Sequence, residues 1–425
     1  MPNLLLKGGR VIDPTQHMDA EVDVLIEDGA IAAIGPELDA NEAEVVDVAG
    51  HIVAPGFVDM HVHLREPGYE YKETIESGMR AAAAGGFTAV ACMPNTDPIN
   101  DHRSVTELIL ERAKAGAVHV YPIGAVSAGQ RGEALAEIGE LVDAGCVAIS
   151  DDGYPVATAQ LMRKALEYSQ MFDIPVIDHC EEVSMTHGSV MHDGAVSAEL
   201  GLRGWPAAAE EITVSRDLIV ADAVGGKLHL AHLSTAGSMH LVRDAKRRGS
   251  TATCEVMMHH FSLTDEAVRG FDTNTKMNPP LRSEADRQAL LEAIADGTVD
   301  VLATDHAPHH ADEKLLEFDN APFGIIGLET AIPLACTHLV HGGVIDANRL
   351  VEMMATNPAR ILGVGRGGLS VGAPADITVI DLDLEKEVAA ESFETLSRNT
   401  PFDGVTLRGW PVLTIVDGNV IWRAA

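Results

Sequence analysis

The middle of the chain alternates eight β-type runs with helix-like stretches, and this alternation restricts the fold more than any other feature. Several runs are almost continuously apolar, as is usual for parallel strands that are covered on both faces. Eight strand–helix units predict an α/β fold of the (β/α)8 TIM-type barrel class. An open, doubly wound sheet is the main alternative, but the first run continues into HVHLREPG, where that fold needs a GxGxxG loop. The runs cover residues 57–63, 87–93, 118–124, 146–150, 174–179, 227–232, 251–256 and 299–305.

Both ends of the chain instead carry β-type runs separated by Gly, Asp or Pro, such as LLLKGGRVID at the front and ADITVIDLD at the back. Strands at both ends with an alternating region between them predict a small sheet domain and an inserted α/β domain. We expect a β-sandwich domain from residues 1–55 and 364–425, and a barrel from residues 56–363. The helix-like stretches of the barrel include residues 73–86, 132–145, 158–172, 283–297 and 346–363.

The composition excludes several classes of partner. The chain has 425 residues, with 30 Lys and Arg against 64 Asp and Glu, so its formal charge is −34. Nucleic acids and anionic membranes attract basic surfaces, and we expect neither as a partner. A hydrophobic content of 46% argues against disorder. An anionic small-molecule substrate would have to meet positive groups concentrated at its binding site.

The cysteines and the apolar segments indicate a cytoplasmic protein. The chain has 5 cysteines and no CxxC pair, which argues against both a disulfide framework and a thiolate zinc site. A reducing compartment is the simplest environment for such a set. The N-terminal apolar run of three leucines is too short for a signal peptide, and residues 81–93 are too short to span a bilayer.

Residues that can bind a divalent cation or move a proton stand at the ends of five of the eight runs. Active sites of (β/α)8 barrels lie at the carboxyl ends of the strands, so residues far apart in sequence meet there. The tandem pair His259-His260, just past the seventh run, has an ambiguous role, and we leave it outside the predicted metal site. The strand-end residues are His61, His63, Asp152, His179, His232 and Asp305.

The spacing of these residues indicates a metal site. His61 and His63 alternate with apolar residues, so they point to one face of a strand. Two such imidazoles can bind one ion at about 2.0–2.1 Å, and Zn²⁺ suits nitrogen and oxygen ligands. Of Asp151 and Asp152 only one can face inward, where its carboxylate could bridge two ions. There is no lysine from 132 to 163, which excludes a modified lysine from this strand as the bridge.

Asp305 and its surroundings indicate hydrolytic chemistry. A carboxylate beside a metal and its water can act as a general base and then as a general acid, which contributes about 10²–10⁴-fold to the rate. Arg65, two residues past His63, can hold a carboxylate in two hydrogen bonds. We expect residues 306–324 to form a lid. Three further residues, at or beyond strand ends, could complete an anion and amide pocket: Asn95, Asn278 and His309.

The block DMHVHLREPG, at residues 59–68, resembles the signature of class I bacterial dihydroorotases in the amidohydrolase superfamily. Further matching motifs are MPNT, SDDG, DHCE, AHLST, KMNPPLR and TDHAPH, and the likeness covers nearly the whole chain. One departure is Met257-Met258, where the family pattern has Thr-Pro, and it concerns local loop geometry rather than the ligands.

The resemblance implies a role for each residue of the site. His61 and His63 would bind one zinc ion, His179 and His232 a second, and Asp152 rather than Asp151 would bridge them. The resemblance thus implies one or two Zn²⁺ ions per subunit. Asp305 would be both a ligand and the catalytic acid/base. The implied substrate contacts are His63, Arg65, Asn95, Asn278 and His309, together with the backbone of Phe323 and Gly324.

The implied reaction is the reversible interconversion of N-carbamoyl-L-aspartate and (S)-dihydroorotate in de novo pyrimidine (UMP) biosynthesis. The nearest alternative is a hydantoinase, dihydropyrimidinase or allantoinase, but those substrates lack the carboxylate that would explain Arg65. A catalytically silent structural partner of aspartate transcarbamoylase is a second alternative, although silent forms are expected to have lost metal ligands. A homodimer and association with aspartate transcarbamoylase remain open partner hypotheses.

Overall fold

The structure, a computed structural model, describes residues 3–40 and 42–424, and its strands form two large sheets and one short ribbon. In chain order the strands are β1 Leu4–Asp13, β2 Met18–Glu27, β3 Ala30–Gly35, β4 Glu44–Asp47, β5 Ile52–Pro55, β6 Phe57–Val62, β7 Phe87–Cys92, β8 His119–Gly124, β9 Ala148–Ser150, β10 Val176–Asp178, β11 Met191–His192, β12 Gly204–Trp205, β13 Leu228–Leu230, β14 Thr253–Met257, β15 Val301–Ala303, β16 Ile377–Glu387, β17 Thr406–Val416 and β18 Asn419–Arg423.

Eight of these strands form the barrel, in the order β6-β7-β8-β9-β10-β13-β14-β15. Neighbouring strands are parallel, and each corresponds to one of the eight predicted runs. A parallel bridge between Val62 and His306 joins the two edges of this sheet. The predicted (β/α)8 barrel is therefore confirmed, and the open doubly wound alternative is excluded.

Helices cover the barrel strands, and their first residues explain where several begin. The hydroxyl of Thr158, just before the helix Ala159–Ser169, accepts a hydrogen bond from the backbone N–H of Leu161. Ser283 caps the helix Glu284–Ala295 in the same way. The helices are α1 Ile75–Ala84, α2 Arg103–Ala113, α3 Ile138–Ala144, α4 Ala159–Ser169, α5 Val183–Thr186, α6 Ala195–Leu200, α7 Ala208–Val224, α8 Ala236–Arg247, α9 Met258–Ser262, α10 Glu284–Ala295, α11 Ala311–Lys314, α12 Ala331–Ala335, α13 Ala347–Val351 and α14 Asn357–Leu362, with π-helical turns at Cys336–Val340 and Glu352–Thr356.

One helix-like stretch is helical only in its second half. We predicted a helix over residues 132–145, but α3 begins at Ile138. The residues before it pair with the loop after β8 instead, through a hydrogen bond from Ala136 N to Val126 O at 2.9 Å and a bridge between Ser127 and Leu135. Helical propensity is weak in this segment compared with the tertiary contacts that the loop makes.

The second large sheet joins both ends of the chain. Its order is β18-β17-β16-β5-β1-β2-β3, with β4 paired to β1. The antiparallel pair of β5 with β16 links the N-terminal strands to the C-terminal ones, and β5 is followed almost directly by β6 of the barrel. The strands at both ends thus combine as expected, while the division at residues 55 and 364 stays a prediction.

The apolar core continues from the barrel into the terminal sheet. The largest buried cluster includes Phe57 and Phe87 from the strands, Met162 and Leu166 from α4, and Val416 from the terminal sheet. All 5 cysteines are buried and free. Within residues 3–40 and 42–424, no helix combines the length and apolar character needed to cross a bilayer.

A half-buried glutamate joins the barrel to the C-terminal segment. Glu329, just before α12, accepts hydrogen bonds from the backbone N–H groups of Glu394 at 3.1 Å and Thr395 at 3.2 Å. Burial nevertheless raises the pKa of Glu329 to about 8. The folded protein therefore keeps a proton that the unfolded chain releases at lower pH.

We expect this proton to make stability fall as pH rises towards the folded-state pKa. Between the ordinary glutamate pKa and about 8, the native state binds more protons than the unfolded state, so the free energy of unfolding decreases with pH. Glu329→Gln should flatten that decrease by up to about 1.4 kcal/mol per pH unit. Urea unfolding at a series of pH values measures the slope, and Glu391→Gln, at an exposed glutamate of the same segment, is the control. A variant slope equal to that of the wild type would contradict the assignment.

Candidate active site

The predicted strand-end residues meet at the carboxyl edge of the barrel. Nε2 of His61 lies 3.4 Å from Oδ1 of Asp152 and 3.6 Å from Oδ1 of Asp305. Nε2 of His63 lies 2.9 Å from Oδ1 of Asp305 and 3.6 Å from Oδ2 of Asp152. All four side chains are buried. The two imidazoles at the end of β6 therefore face a carboxylate that follows β9 and another that follows β15.

The other two histidines complete the cluster around Asp152. Nδ1 of His179 lies 2.9 Å from Nε2 of His232. Oδ1 of Asp152 lies 3.3 Å from Nε2 of His232 and 3.7 Å from Nδ1 of His179. The carboxylate of Asp152 thus faces all four imidazoles.

These donors fit a divalent cation. Two sets of three ligand atoms lie within 4.8 Å of one another, His61 with Asp152 and His232, and His61 with His63 and Asp305. Nε2 of His61 is buried and makes no hydrogen bond to any residue that the structure describes. Imidazole nitrogens and carboxylate oxygens are the donor set that Zn²⁺ and related ions prefer. His179 is outside both sets, although it contacts His232 and Asp152.

The two adjacent aspartates point in different directions. Asp151 accepts hydrogen bonds from the backbone N–H of Ser127 at 2.9 Å and from its hydroxyl at 2.6 Å. Asp152, in contrast, faces the histidines. The contact with Ser127 therefore explains why Asp152, and not Asp151, reaches the cluster.

Three residues at this site have a strained backbone conformation. Arg65, His232 and Asp305 have φ angles of 63°, 34° and 49°, in the left-handed region that side chains other than glycine rarely adopt. Such conformations cost of order 1–3 kcal/mol each and persist where the surrounding structure enforces them. Here the three strained residues follow three different barrel strands, β6, β13 and β15.

Neighbouring charges set the protonation of the cluster. Burial disfavours the charged form of Asp305, but the hydrogen bond with His63 and the charge of His61 outweigh it and lower the pKa of Asp305. Burial also opposes the charge of His179, yet the hydrogen bonds with Asp152 and Glu181 raise its pKa to about 9. The carboxylates are therefore ionised, as ligands and proton acceptors must be.

A cavity of about 340 Å³ opens onto the cluster. Arg65 lies on its wall, and the guanidinium is held by a hydrogen bond from its Nε to the carbonyl oxygen of Pro308 at 3.1 Å. Asn95 is held by His63, whose Nδ1 lies 2.9 Å from Oδ1 of the amide. The cavity brings together all of the predicted substrate contacts: His63, Arg65, Asn95, Asn278, His309, Phe323 and Gly324.

His309 is neutral and fixed in one orientation. Its Nε2 donates to the carbonyl oxygen of Phe323 at 2.7 Å, while its Nδ1 lies 3.4 Å from Nζ of Lys72. Burial and the nearby positive charge of Arg65 lower the pKa of His309 to about 2. The imidazole is therefore neutral at physiological pH.

Two buried lysines anchor the segment predicted as a lid. Nζ of Lys314 donates to the carbonyl oxygens of Thr273 at 3.0 Å and Pro322 at 2.9 Å. Nζ of Lys276 donates to the carbonyl oxygen of Phe318 at 2.7 Å. Gly324 has a φ angle of 120°, and a Cβ there would lie 2.7 Å from that of Ala307. These contacts place the Phe323-Gly324 backbone against the cavity.

The sequence analysis missed two neighbours of the cluster, Glu255 and Glu181, and left the role of a third, His259, open. Glu255, in the middle of β14, lies with Oε1 2.6 Å from Nδ1 of His61. Glu181 lies with Oε2 2.9 Å from Nε2 of His179. His259 is buried near the cluster, and this burial lowers its pKa well below the ordinary value. A carboxylate inside the apolar run TATCEV was the signal that could have identified Glu255.

Comparison with known proteins agrees with this geometry. Residues 50–238 match the family described as dihydro-orotase-like. A protein of Geobacter sp. (strain M21) named dihydroorotase is 54% identical over 424 residues, which are 99% of this chain and 100% of that protein. A dihydroorotase of Pelotomaculum thermopropionicum is also 54% identical, over 99% of this chain and 98% of its own length.

Two solved structures with a similar fold are named as hydantoinases rather than as dihydroorotases. The L-hydantoinase (dihydropyrimidinase) of Arthrobacter aurescens superposes with a TM-score of 0.89 at 26% identity, covering 100% of this chain and 96% of that one. The D-hydantoinase (dihydropyrimidinase) of Thermus sp. gives 0.83 at 26% identity, covering 99% of this chain and 95% of that one. The sequence relatives are far more similar over an equal length, and the chain belongs to the dihydroorotase family.

Proposed function

We propose that this chain catalyses the reversible, zinc-dependent cyclisation of N-carbamoyl-L-aspartate to (S)-dihydroorotate in de novo pyrimidine biosynthesis. The observation that carries the proposal is one cavity that holds both a half-buried guanidinium, Arg65, and the carboxylate of Asp305 among metal-ligand side chains. The near full-length identity to proteins named dihydroorotase supports it.

We propose that His61, His63 and Asp305 hold one metal ion, and that His179 and His232 hold a second bridged through Asp152. A divalent ion bound there would polarise a carbonyl oxygen and lower the pKa of water to about 7. Zn²⁺ is the proposed ion because the donors are imidazoles and carboxylates without thiolates. One or two ions per subunit are compatible with the two ligand sets.

Asp305 is the proposed acid/base. In the hydrolytic direction, water adds to the ring amide carbonyl, and the ionised carboxylate accepts the proton that the water loses. The C–N bond then breaks, and Asp305 returns the proton to the leaving nitrogen. Cyclisation runs the same proton transfers in reverse, with loss of water. Nε2 of His63 and Oδ1 of Asp305 lie 2.9 Å apart, so both atoms could contact the same ion.

Arg65 is the proposed anchor for the substrate carboxylate. Its Nε donates to the carbonyl oxygen of Pro308, and its Nη2 lies 3.4 Å from Nε2 of His309, beside the cavity that Arg65 and His309 both line. A bidentate charge-assisted pair supplies both energy and orientation. Asn95, Asn278 and neutral His309 would bind uncharged parts of the substrate, and the Phe323-Gly324 backbone would meet the ring amide.

The main alternative is a hydantoinase, dihydropyrimidinase or allantoinase, because the solved relatives of this fold include hydantoinases. We favour dihydroorotate because partial burial of Arg65 costs desolvation energy that an uncharged ring would not offset. A silent structural partner of aspartate transcarbamoylase is disfavoured, because all six predicted metal-ligand residues are present and meet at one place. We propose a cytoplasmic enzyme; homodimerisation and association with aspartate transcarbamoylase remain hypotheses.

The role of Asp305 leads to the first prediction for this reaction. Asp305→Asn keeps the size of the side chain but cannot accept the proton, so kcat should fall by about 10²–10⁴-fold. Dihydroorotate hydrolysis, followed by loss of its ultraviolet absorbance with metal content measured in parallel, gives kcat. Asp312→Asn, an exposed acid in the same loop region, is the control and should retain full activity. Full activity of Asp305→Asn would refute the assignment.

The role of Arg65 leads to a prediction about specificity. Arg65→Met should weaken transition-state binding of dihydroorotate by about 2–4 kcal/mol, because it removes one side of a charged pair. That loss corresponds to a decrease in kcat/KM of roughly 30- to 700-fold. The matched control is Arg131→Met at an exposed arginine. Wild-type preference for hydantoin or allantoin over dihydroorotate would overturn the proposed substrate.

The bridging role of Asp152 leads to a third prediction. Asp152→Asn should bind fewer zinc ions per chain than the wild type, because the amide is a poor bridge between two cations. Asp151→Asn makes the same change one residue away and should keep the wild-type zinc content, since Asp151 pairs with Ser127. Metal analysis after dialysis measures both. Equal zinc loss in the two variants would contradict the assignment.

A further inference from the structure

We propose that Glu255 is a positioning residue that holds His61 in the tautomer and orientation needed for metal binding. The proposal deepens the proposed function, since it concerns a ligand of the same site. Glu255 is outside the cavity wall, so it acts through His61 rather than on the substrate. Its side chain is fully buried, and its carboxylate contacts His61, His229 and the backbone of His232.

The contact with His61 determines which ring nitrogen carries the proton. Nδ1 of His61 lies 2.6 Å from Oε1 of Glu255. An ionised carboxylate can only accept hydrogen bonds, so the hydrogen of this contact must sit on Nδ1. In the neutral imidazole the lone pair is then on Nε2, the nitrogen that lies 3.4 Å from Asp152 and 3.6 Å from Asp305. Glu255 thus makes the cluster-facing nitrogen the one able to bind a cation.

Glu255 is itself held from several sides. Its backbone is paired with Val301 in the β14–β15 ladder. Oε1 also accepts the backbone N–H of His232 at 3.3 Å, and Oε2 lies 3.2 Å from Nε2 of His229. Nδ1 of His229 in turn lies 2.8 Å from the hydroxyl of Thr253. The carboxylate therefore has little freedom to move, which is what a group that orients another side chain requires.

The same carboxylate touches both halves of the proposed metal site. Through His61 it contacts the ring from the first barrel strand, and through the N–H of His232 it contacts the backbone of a ligand of the second ion. His63 is oriented differently, by the neutral amide of Asn95 at 2.9 Å. Glu181 also lies behind a ligand ring, 2.9 Å from Nε2 of His179, but it is only half-buried, whereas Glu255 is fully buried.

Zinc affinity tests the proposal without reference to turnover. Glu255→Leu removes the acceptor, and we expect zinc to bind about 10–100-fold more weakly. Glu255→Gln keeps an oxygen that can accept a hydrogen bond from Nδ1 of His61, so zinc affinity should decrease less in this variant. Competition with a chromogenic chelator measures the affinities. Glu210→Gln is the matched control, because Glu210 is equally buried but bonds Ser234 and Thr235 rather than a metal ligand.

The order of the affinities decides the outcome. The positioning role is supported if the wild type and Glu210→Gln bind zinc with equal affinity, Glu255→Gln binds it more weakly, and Glu255→Leu binds it most weakly. Glu255→Leu binding zinc as tightly as the wild type would overturn it. Equal weakening in all three variants would also overturn it, because a general loss of packing would then explain the effect.

A measurement on the wild type covers the case in which Glu255→Leu does not fold. In zinc-loaded protein with ¹⁵N-labelled histidine, long-range ¹H–¹⁵N spectra report which ring nitrogen carries the proton, and the signals missing from His61→Asn assign His61. The proposal requires the proton on Nδ1, and a proton on Nε2 would overturn it. Zinc binding as expected without dihydroorotate turnover would instead reject the proposed function and leave the role of Glu255 intact.

Discussion

The closure of the barrel between its first and last strands is the constraint on which the site depends. His61 and His63 come from β6, and Asp305 follows β15, so these residues meet only if the two edge strands are held together. The bridge of Val62 with His306 does this through the backbone. Asp59 does it through its side chain, which accepts the hydroxyl hydrogen bond of Thr304 at 2.5 Å. Both contacts lie directly beside the residues that they bring together.

Closure of the barrel brings charged groups into the interior, and pairing of opposite charges reduces the free-energy cost of burying them. Moving a carboxylate out of water costs several kcal/mol unless it is paired and hydrogen-bonded. Asp152 faces four imidazoles, and the charge of His61 with the hydrogen bonds of His229 and His61 lowers the pKa of Glu255 to about 2 despite its burial. The strained backbone at Arg65 and Asp305 adds to the cost. The apolar core of the barrel and its helices offsets these terms.

The sequence predicted the barrel and the cluster because both follow from local patterns. Strand-length apolar runs marked the strands, and their last residues marked the carboxyl edge. The choice between Asp151 and Asp152 could not be made from the residues alone, since it depends on the contact of Asp151 with Ser127 from another loop. Glu255 was missed for a similar reason: it lies inside a strand, and only its long-range contact with His61 gives it a role.

Arg65 explains how a chain of net charge −34 could bind the anionic substrate that we propose. Surface charges are screened beyond about 8–10 Å at physiological ionic strength, so most of them do not act inside the cavity. Lys276 and Lys314 donate to loop carbonyls rather than to the cavity. Arg65, on the cavity wall, acts at short range where the effective dielectric constant is low. We therefore expect recognition of a carboxylate to depend on the position of this guanidinium, and not on the net charge of the whole molecule.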